Sequence, residues 1–352
     1  MFQCLNPLLN MEMKQCKTTL KELSILHAFN FSIFQSFNFS ILLFFLTACH
    51  NGNTELTAEE EARLDSAALH VALMPVADCL PFYYAERRGI FDTLGVDVRL
   101  LTLQAQLDTD TALLCRHVEL AYSDLIRAIM MQQADTFGLC AIASAEGALE
   151  LITPRRGRVR ALKHLRERMV AVARHSITDY WSDRITDSAG IARDEIFRPQ
   201  INDVRIRTDM LINGTMDAAL LPQPYSGEMT LLGARSHIST LGVEPRLAAY
   251  LVPSWVTRDT ARIRQIRLFF QAYNIAAERL NGTERDSLRP LLRTLCVIPD
   301  TLTDSLCRAM PPFAPNTEIR QSDVDAAFDF IKGRGRARKG YSPDTLIHNI
   351  LY

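Results

Sequence analysis

Leu69-His70-Val71-Ala72-Leu73-Met74, halted by Pro75, and Met169-Val170-Ala171-Val172-Ala173, about one hundred residues later, decide how this chain folds. Each is a short apolar run of strand length bounded by turn residues. Behind the first lie the loop 76–80 and Pro81, well placed to open a helix that runs to about Arg88 and ends at Gly89. Behind the second, His175-Ser176-Ile177 turns into a helix over 178–189 that stops at Gly190. The next units correspond too. Leu113-Leu114 closes a helix ahead of a strand from Glu119 to Tyr122, and Leu211-Ile212 closes one ahead of a strand from Asp217 to Leu221. Placing Val71 on Val170 takes an offset of 99, and Glu119 on Asp217 an offset of 98. Two independent blocks in step to within one residue indicate a duplicated unit.

A duplicated βαβ-like unit predicts an α/β protein of two lobes, each a small sheet of largely parallel strands crossed by helices. Ligands in such sheets sit beyond the carboxyl ends of the strands, where helix N-termini offer unpaired N–H groups. The loops 75–80, 122–125, 174–178 and 221–224 fall at such ends and are expected to face one another across a cleft. Residues 139–143 lead through Glu146-Gly147 into 149–152, and 247–252 run back; these read as paired crossover strands. Helical spacing follows over 257–280, with further helices near 286–295, 300–310 and 322–331 expected to cover the first lobe. The organisation is therefore a first lobe begun by 69–148, a second lobe 149–248, and 249–352 returning to complete the first.

Upstream, the apolar Ile41-Leu42-Leu43-Phe44-Phe45 runs into Leu46-Thr47-Ala48-Cys49, the pattern of a bacterial lipobox. It predicts a signal peptide over 1–48, an acylated Cys49, and a polar tether over 49–68 in which Thr57 and Glu60 have capping-box spacing. The expected location is the cell envelope, facing the periplasm or exterior on a lipid anchor. The 39 basic and 40 acidic residues give a net charge of −1 and no long-range pull towards nucleic acid. Of eight cysteines, Cys79, Cys115, Cys140, Cys296 and Cys307 remain after the leader and Cys49 are set aside. Their odd number argues against a disulfide framework, with Cys296 and Cys307 read as buried thiols or as one pair. No CxxC or zinc-type His/Cys spacing occurs, so neither metal nor cofactor is expected.

The candidate binding residues follow from the strand ends. Ser176 can cap the helix that follows it, and the same turn can offer N–H groups to an anion or carbonyl. Asp78 and Asp124 could receive a ligand amine or serve as helix caps, and Ser123 carries the same two readings. Among the aromatics, Tyr122 and Tyr180 lie nearest the strand ends and could flank a flat solute or pack in the core. His175 could donate to a ligand or be a structural histidine. Gln223, held between Pro222 and Pro224, could aim its amide inward. No GxSxG, HExxH or GxxxxGK[ST] pattern occurs, and no catalytic residue is assigned.

At this stage the chain resembles a known family. Met74-Pro75-Val76-Ala77-Asp78, then Pro81-Phe82-Tyr83-Tyr84-Ala85-Glu86-Arg87-Arg88-Gly89-Ile90-Phe91 and Gly95-Val96-Asp97-Val98, are similar to periplasmic substrate-binding proteins of ABC importers. The nearest type is that for nitrate, sulfonates and taurine, with relatives for thiamine pyrimidine precursors. The run from Leu211 through Asn213-Gly214 to Ala219 and the stretch Phe269-Phe270-Gln271-Ala272-Tyr273-Asn274 fit the same type, whereas Arg116-His117 replaces its usual glycine turn. The resemblance implies the type II periplasmic-binding-protein fold, hinge closure on a small-molecule solute, delivery to an ABC permease, and a monomer. An enzyme on the same fold, chorismate-dehydratase-like or pyrimidine-forming, and a signalling receptor lobe are the alternatives.

Overall fold

The computed structural model describes residues 65–134 and 138–351. The leader, Cys49, and most of the expected tether with Thr57 and Glu60 lie outside the described residues. In chain order the elements open with β1 (Leu69–Leu73), α1 (Leu80–Arg87), α2 (Ile90–Leu94), β2 (Val98–Thr102) and α3 (Gln106–Leu114). They continue with β3 (Leu120–Asp124), α4 (Leu125–Ala134), β4 (Leu139–Ser144), β5 (Leu149–Thr153), β6 (Val170–Ala171) and α5 (Ile177–Ser188). Next come α6 (Val204–Ile212), β7 (Ala218–Pro222), α7 (Tyr225–Leu231), β8 (Arg235–Ser239) and β9 (Ala248–Pro253). Four helices finish the chain: α8 (Thr260–Asn281), α9 (Leu288–Thr294), α10 (Asp300–Ala309) and α11 (Gln321–Gly333).

The strands form two sheets, of order β2-β1-β3-β9-β4 and β6-β7-β5-β8. In the first, β2, β1 and β3 are parallel and β9 lies antiparallel between β3 and β4. In the second, only β6 and β7 are parallel, and β5 is antiparallel to both β7 and β8. The expectation of largely parallel sheets thus holds for strand direction in both, each with one reversed strand, β9 in the first and β5 in the second. The reason is directional. β5 and β9 carry the chain away from the crossings between sheets, so each runs against the strands that end there. A short helix, α2, also lies between Gly89 and Gly95, both left-handed (φ 63° and 70°), in a segment to which the sequence reading assigned no element.

The repeat is visible in hydrogen bonds. Glu119 Oε2 accepts from His70 N at 2.9 Å beside the start of β1, and Asp217 Oδ2 accepts from Met169 N at 3.0 Å beside the start of β6. The first core layer forms where Phe82 of α1 stacks on Phe269 of α8 at 4.0 Å. Every residue of β4 and β9 is buried, so these strands read as continuous apolar runs without alternation.

The C-terminal helices do not confine themselves to the first sheet. Helix α9 packs on α1 and α11 on α4, but α10 packs on α7, which belongs to the second sheet. Gly227 of α7 makes that approach close: a Cβ there would stand 2.5 Å from Leu306 Cδ1. At the first crossing between sheets, Gly147 is left-handed (φ 59°) and a Cβ on it would lie 2.6 Å from Ala248 Cβ at the second crossing. Cys79, Cys140, Cys296 and Cys307 are buried free thiols, and Cys115 is half-buried.

Candidate functional site

A small cavity of about 60 Å³ lies between the sheets, walled by the loop after β1, the ends of β3 and β7, the first turns of α3, α5 and α6, and both crossings. Its first-sheet wall is acidic. Tyr122 Oη donates to Asp78 Oδ2 at 2.6 Å, and Gly147 N donates to the same oxygen at 3.0 Å. Burial raises the Asp78 carboxyl above the usual range, while Tyr122 and Gly147 work against the rise. Tyr250 Oη donates to the Asp78 carbonyl at 3.0 Å and its ring meets that of Tyr122 edge-on at 5.5 Å. Tyr122 is thereby fixed on both its polar tip and its face.

Ser123 also lines the cavity, with its hydroxyl donating to the buried Asp110. Asp124, next in β3, is fully buried and does something the sequence reading did not anticipate. Its Oδ1 accepts from Arg127 N at 2.8 Å, capping α4, and its Oδ2 reaches across to Ile177 N at 3.0 Å, the first residue of α5. A carboxylate of the first half therefore sits on a helix N-terminus of the second, where the dipole favours negative charge. Burial pushes Asp124 up to about 6, opposed by those N–H groups and by the Arg127 charge.

Ser176 is the N-cap of α5: its Oγ accepts from Thr178 N at 3.2 Å and donates to Ala173 O at 2.7 Å. It is fully buried beneath the turn, and the wall itself is made by Ala173, Ile177 and Thr178. His175 takes a left-handed backbone (φ 57°), donates its N–H to Asp179 at 2.9 Å, and stands off the cavity; burial lowers its imidazole below the usual value. Tyr180 packs edge-on against Trp181 and Phe330, also away from the cavity. Gln223 lines a neighbouring pocket with Tyr273 and Phe313; its Nε2 donates to Glu150 at 3.0 Å and its Oε1 is buried without a partner. The cavity therefore gathers Asp78, Tyr122 and Ser123, leaves Asp124 and Ser176 just behind its wall, and leaves His175, Tyr180 and Gln223 outside it.

Arg207 was missed. It projects from α6 into the cavity wall, is 4% exposed, and enters no salt bridge among the described residues. Its Nη1 donates to Leu220 O at 3.0 Å, its Nη2 approaches Asn202 O at 3.5 Å, and its Nε has no partner. Burial draws it down to about 10, with Asp203 pulling the other way. A buried guanidinium held only by carbonyls lacks the counter-charge that such groups usually have. The signal was present in sequence: Val204, Thr208 and Leu211 form the buried stripe of α6, and Arg207 falls on that stripe at i+3 from Val204. Gln106, Asn202 and Thr178 complete the polar lining and were likewise not singled out.

The halves touch directly around this cavity. Ala77 N donates to Gln223 O at 2.8 Å, and Val204 N to Gln104 O at 3.2 Å. Arg334, at the end of α11, reaches Asp179 (3.3 Å) and Asp183 on α5. The cleft is shut.

Residues 76–230 match the family model described as NMT1/THI5 like. No curated protein matches the sequence significantly. Among solved structures, the alkanesulfonate-binding protein SsuA from Xanthomonas axonopodis pv. citri bound to MOPS is similar at TM-score 0.68 and 16% identity, covering 80% of this chain and 98% of that one. The periplasmic nitrate-binding protein NrtA from Synechocystis is similar at TM-score 0.64 and 12% identity, covering 81% and 87%. The desulfurization enzyme DSZB is similar at TM-score 0.53 and 14% identity, covering 80% and 97%. The chain thus carries an NMT1/THI5-like region within the fold of periplasmic binding proteins, as the resemblance in its sequence implied.

Proposed function

We propose that this chain is the solute-binding component of an ABC importer, closing on a small oxyanion-bearing molecule between its sheets and presenting it to a membrane permease. The observation that carries the reading is Arg207, a buried guanidinium whose Nε faces no partner in the cavity wall. A sulfonate, carboxylate or nitrate group supplies the missing counter-charge and accepts from Nε. Opposite it, the Asp78–Tyr122 pair suits a donor on the solute, a hydroxyl or an amine. The likeness to sulfonate- and nitrate-binding proteins supports the same class. Within this proposal the first lobe comprises 69–148 completed by 249–352, and the second 149–248. Residues 1–48 are a removed leader, and Cys49 holds a monomer to the envelope by its acyl chains.

Melting of the purified protein against alkanesulfonates, nitrate, amino acids and pyrimidines tests this reading. An oxyanion solute is expected to raise the melting temperature with concentration, by about 2.7 kcal/mol of stability at one hundred times Kd. Folded protein that no oxyanion shifts would remove the proposal. Mass spectrometry of the membrane fraction tests the anchor separately: a bare thiol at Cys49 discards it.

A further inference from the structure

Residues 154–168 concentrate charge. Six arginines and one lysine stand against Glu167 alone, a net of +6 in a chain whose formal total is −1. The segment joins β5 to β6 at the end of the second sheet remote from the cavity, because β5 runs away from the crossing and β6 back towards it. Arg155, Arg156, Arg158, Arg160 and Lys163 are exposed, and of the segment's cations only Arg166 enters a salt bridge among the described residues, with Glu195 at 2.9 Å. Unpaired like charges this close repel one another, so the cluster costs stability until an anionic partner relieves it.

The same end of the sheet carries apolar side chains in solvent. Arg155, Arg156 and Arg158 line an open groove with Ile212, Leu232 and Asp217. Asp217 is already engaged with Met169 N, and Met169 is bridged to Phe197. Ile212, Leu232, Met169 and Phe197 are 43, 45, 39 and 61% exposed, so four large apolar groups are contiguous with the arginines.

We infer that this pole docks on an anionic phospholipid surface, with the arginines on headgroup phosphates and the apolar side chains at the acyl boundary. Basic clusters of four to eight residues are the usual size for such recognition. The apolar rim of Ile212, Leu232, Met169 and Phe197 decides between anionic partners: it gains from an acyl boundary and gains little from a nucleic-acid backbone. The surface is separate from the cavity and does not depend on what the cavity binds.

Co-sedimentation with vesicles tests the inference, using the chain from residue 50 onwards so that neither leader nor acyl anchor contributes. Partition into phosphatidylcholine vesicles containing phosphatidylglycerol is expected to exceed that into phosphatidylcholine alone by at least about tenfold. High salt should abolish the excess. The triple variant R155Q/R156Q/R158Q should lose it while keeping its melting temperature; R160Q/K163Q serves if that variant unfolds. Equal partition into both vesicles, full binding by the folded variants, or binding to polyglutamate without binding to vesicles overturns the inference.

Discussion

In the first half the carboxylate of Glu119 accepts from a backbone N–H at the start of β1, and in the second half Asp217 does the same just ahead of β6. At the outer ends of these strands the halves are alike. At the inner ends they part. The first half turns two carboxylates, half-buried Asp78 and buried Asp124, towards the cleft; the second offers a buried guanidinium, Arg207, and the N-terminus of α5. A duplicated scaffold thus keeps the contacts that hold each half together and diverges in charge where the halves meet. The asymmetry also orders the interface, since Asp124 satisfies an N–H that would otherwise await an anion.

The comparison breaks most visibly at Arg207. Replacing it with Gln removes the only cation lining the cavity among the described residues. Affinity for an oxyanion solute is expected to fall about 10- to 100-fold, following the roughly 1.5–3 kcal/mol of a charged hydrogen bond. Calorimetric titration reads this directly, and an unchanged Kd would place the solute elsewhere.

Asp124 tests the other side. Burial pushes its carboxyl up to about 6 in the folded chain, from an ordinary value of 3.8. Between those values the native state holds a proton that the unfolded chain has released, so stability falls as pH rises through that window. D124N keeps the shape and cannot ionise. Relative to D124N, the unsubstituted protein should lose on the order of 1–3 kcal/mol between pH 4 and pH 7. Parallel melting curves across that range would show that Asp124 does not carry the burial cost.

Arg334 ties α11, packed on α4, to Asp179 and Asp183 of α5. Arg193 also serves both carboxylates, so R334A is expected to cost only about 1–2 kcal/mol, read as a lower urea midpoint. S176A should be milder still, about 1 kcal/mol for a lost N-cap, with solute affinity within about twofold because Ser176 lies beneath the wall. A large loss of affinity with unchanged stability would move Ser176 into the site.

Strand ends were legible because they depend on local chemistry: Pro75 stops β1, Gly190 stops the region of α5, and Ser176 caps it. The offset between Glu119 and Asp217 exposed the repeat because both residues perform one backbone task. Arg207 escaped notice because a helix with Arg205 and Arg207 reads as a solvated one until its buried face is known. The reversed strands β5 and β9 escaped for a different reason: their direction is set by where the chain crosses over, and local propensity carries no record of that. His175 and Tyr180 were placed by their nearness to a strand end, but on α5 and its turn a shift of a few residues rotates a side chain away from the cavity.

One contact in the crossings has a mechanical consequence. At Gly147 the two connecting segments are separated by little more than a hydrogen atom, since any β-carbon would collide with that of Ala248. Such a joint works like a knuckle with no washer: the missing β-carbon of one segment is what admits the methyl of the other. Inserting even a methyl group there would force the two segments apart, so the spacing of the sheets at this crossing is written into one residue that itself lines the cavity.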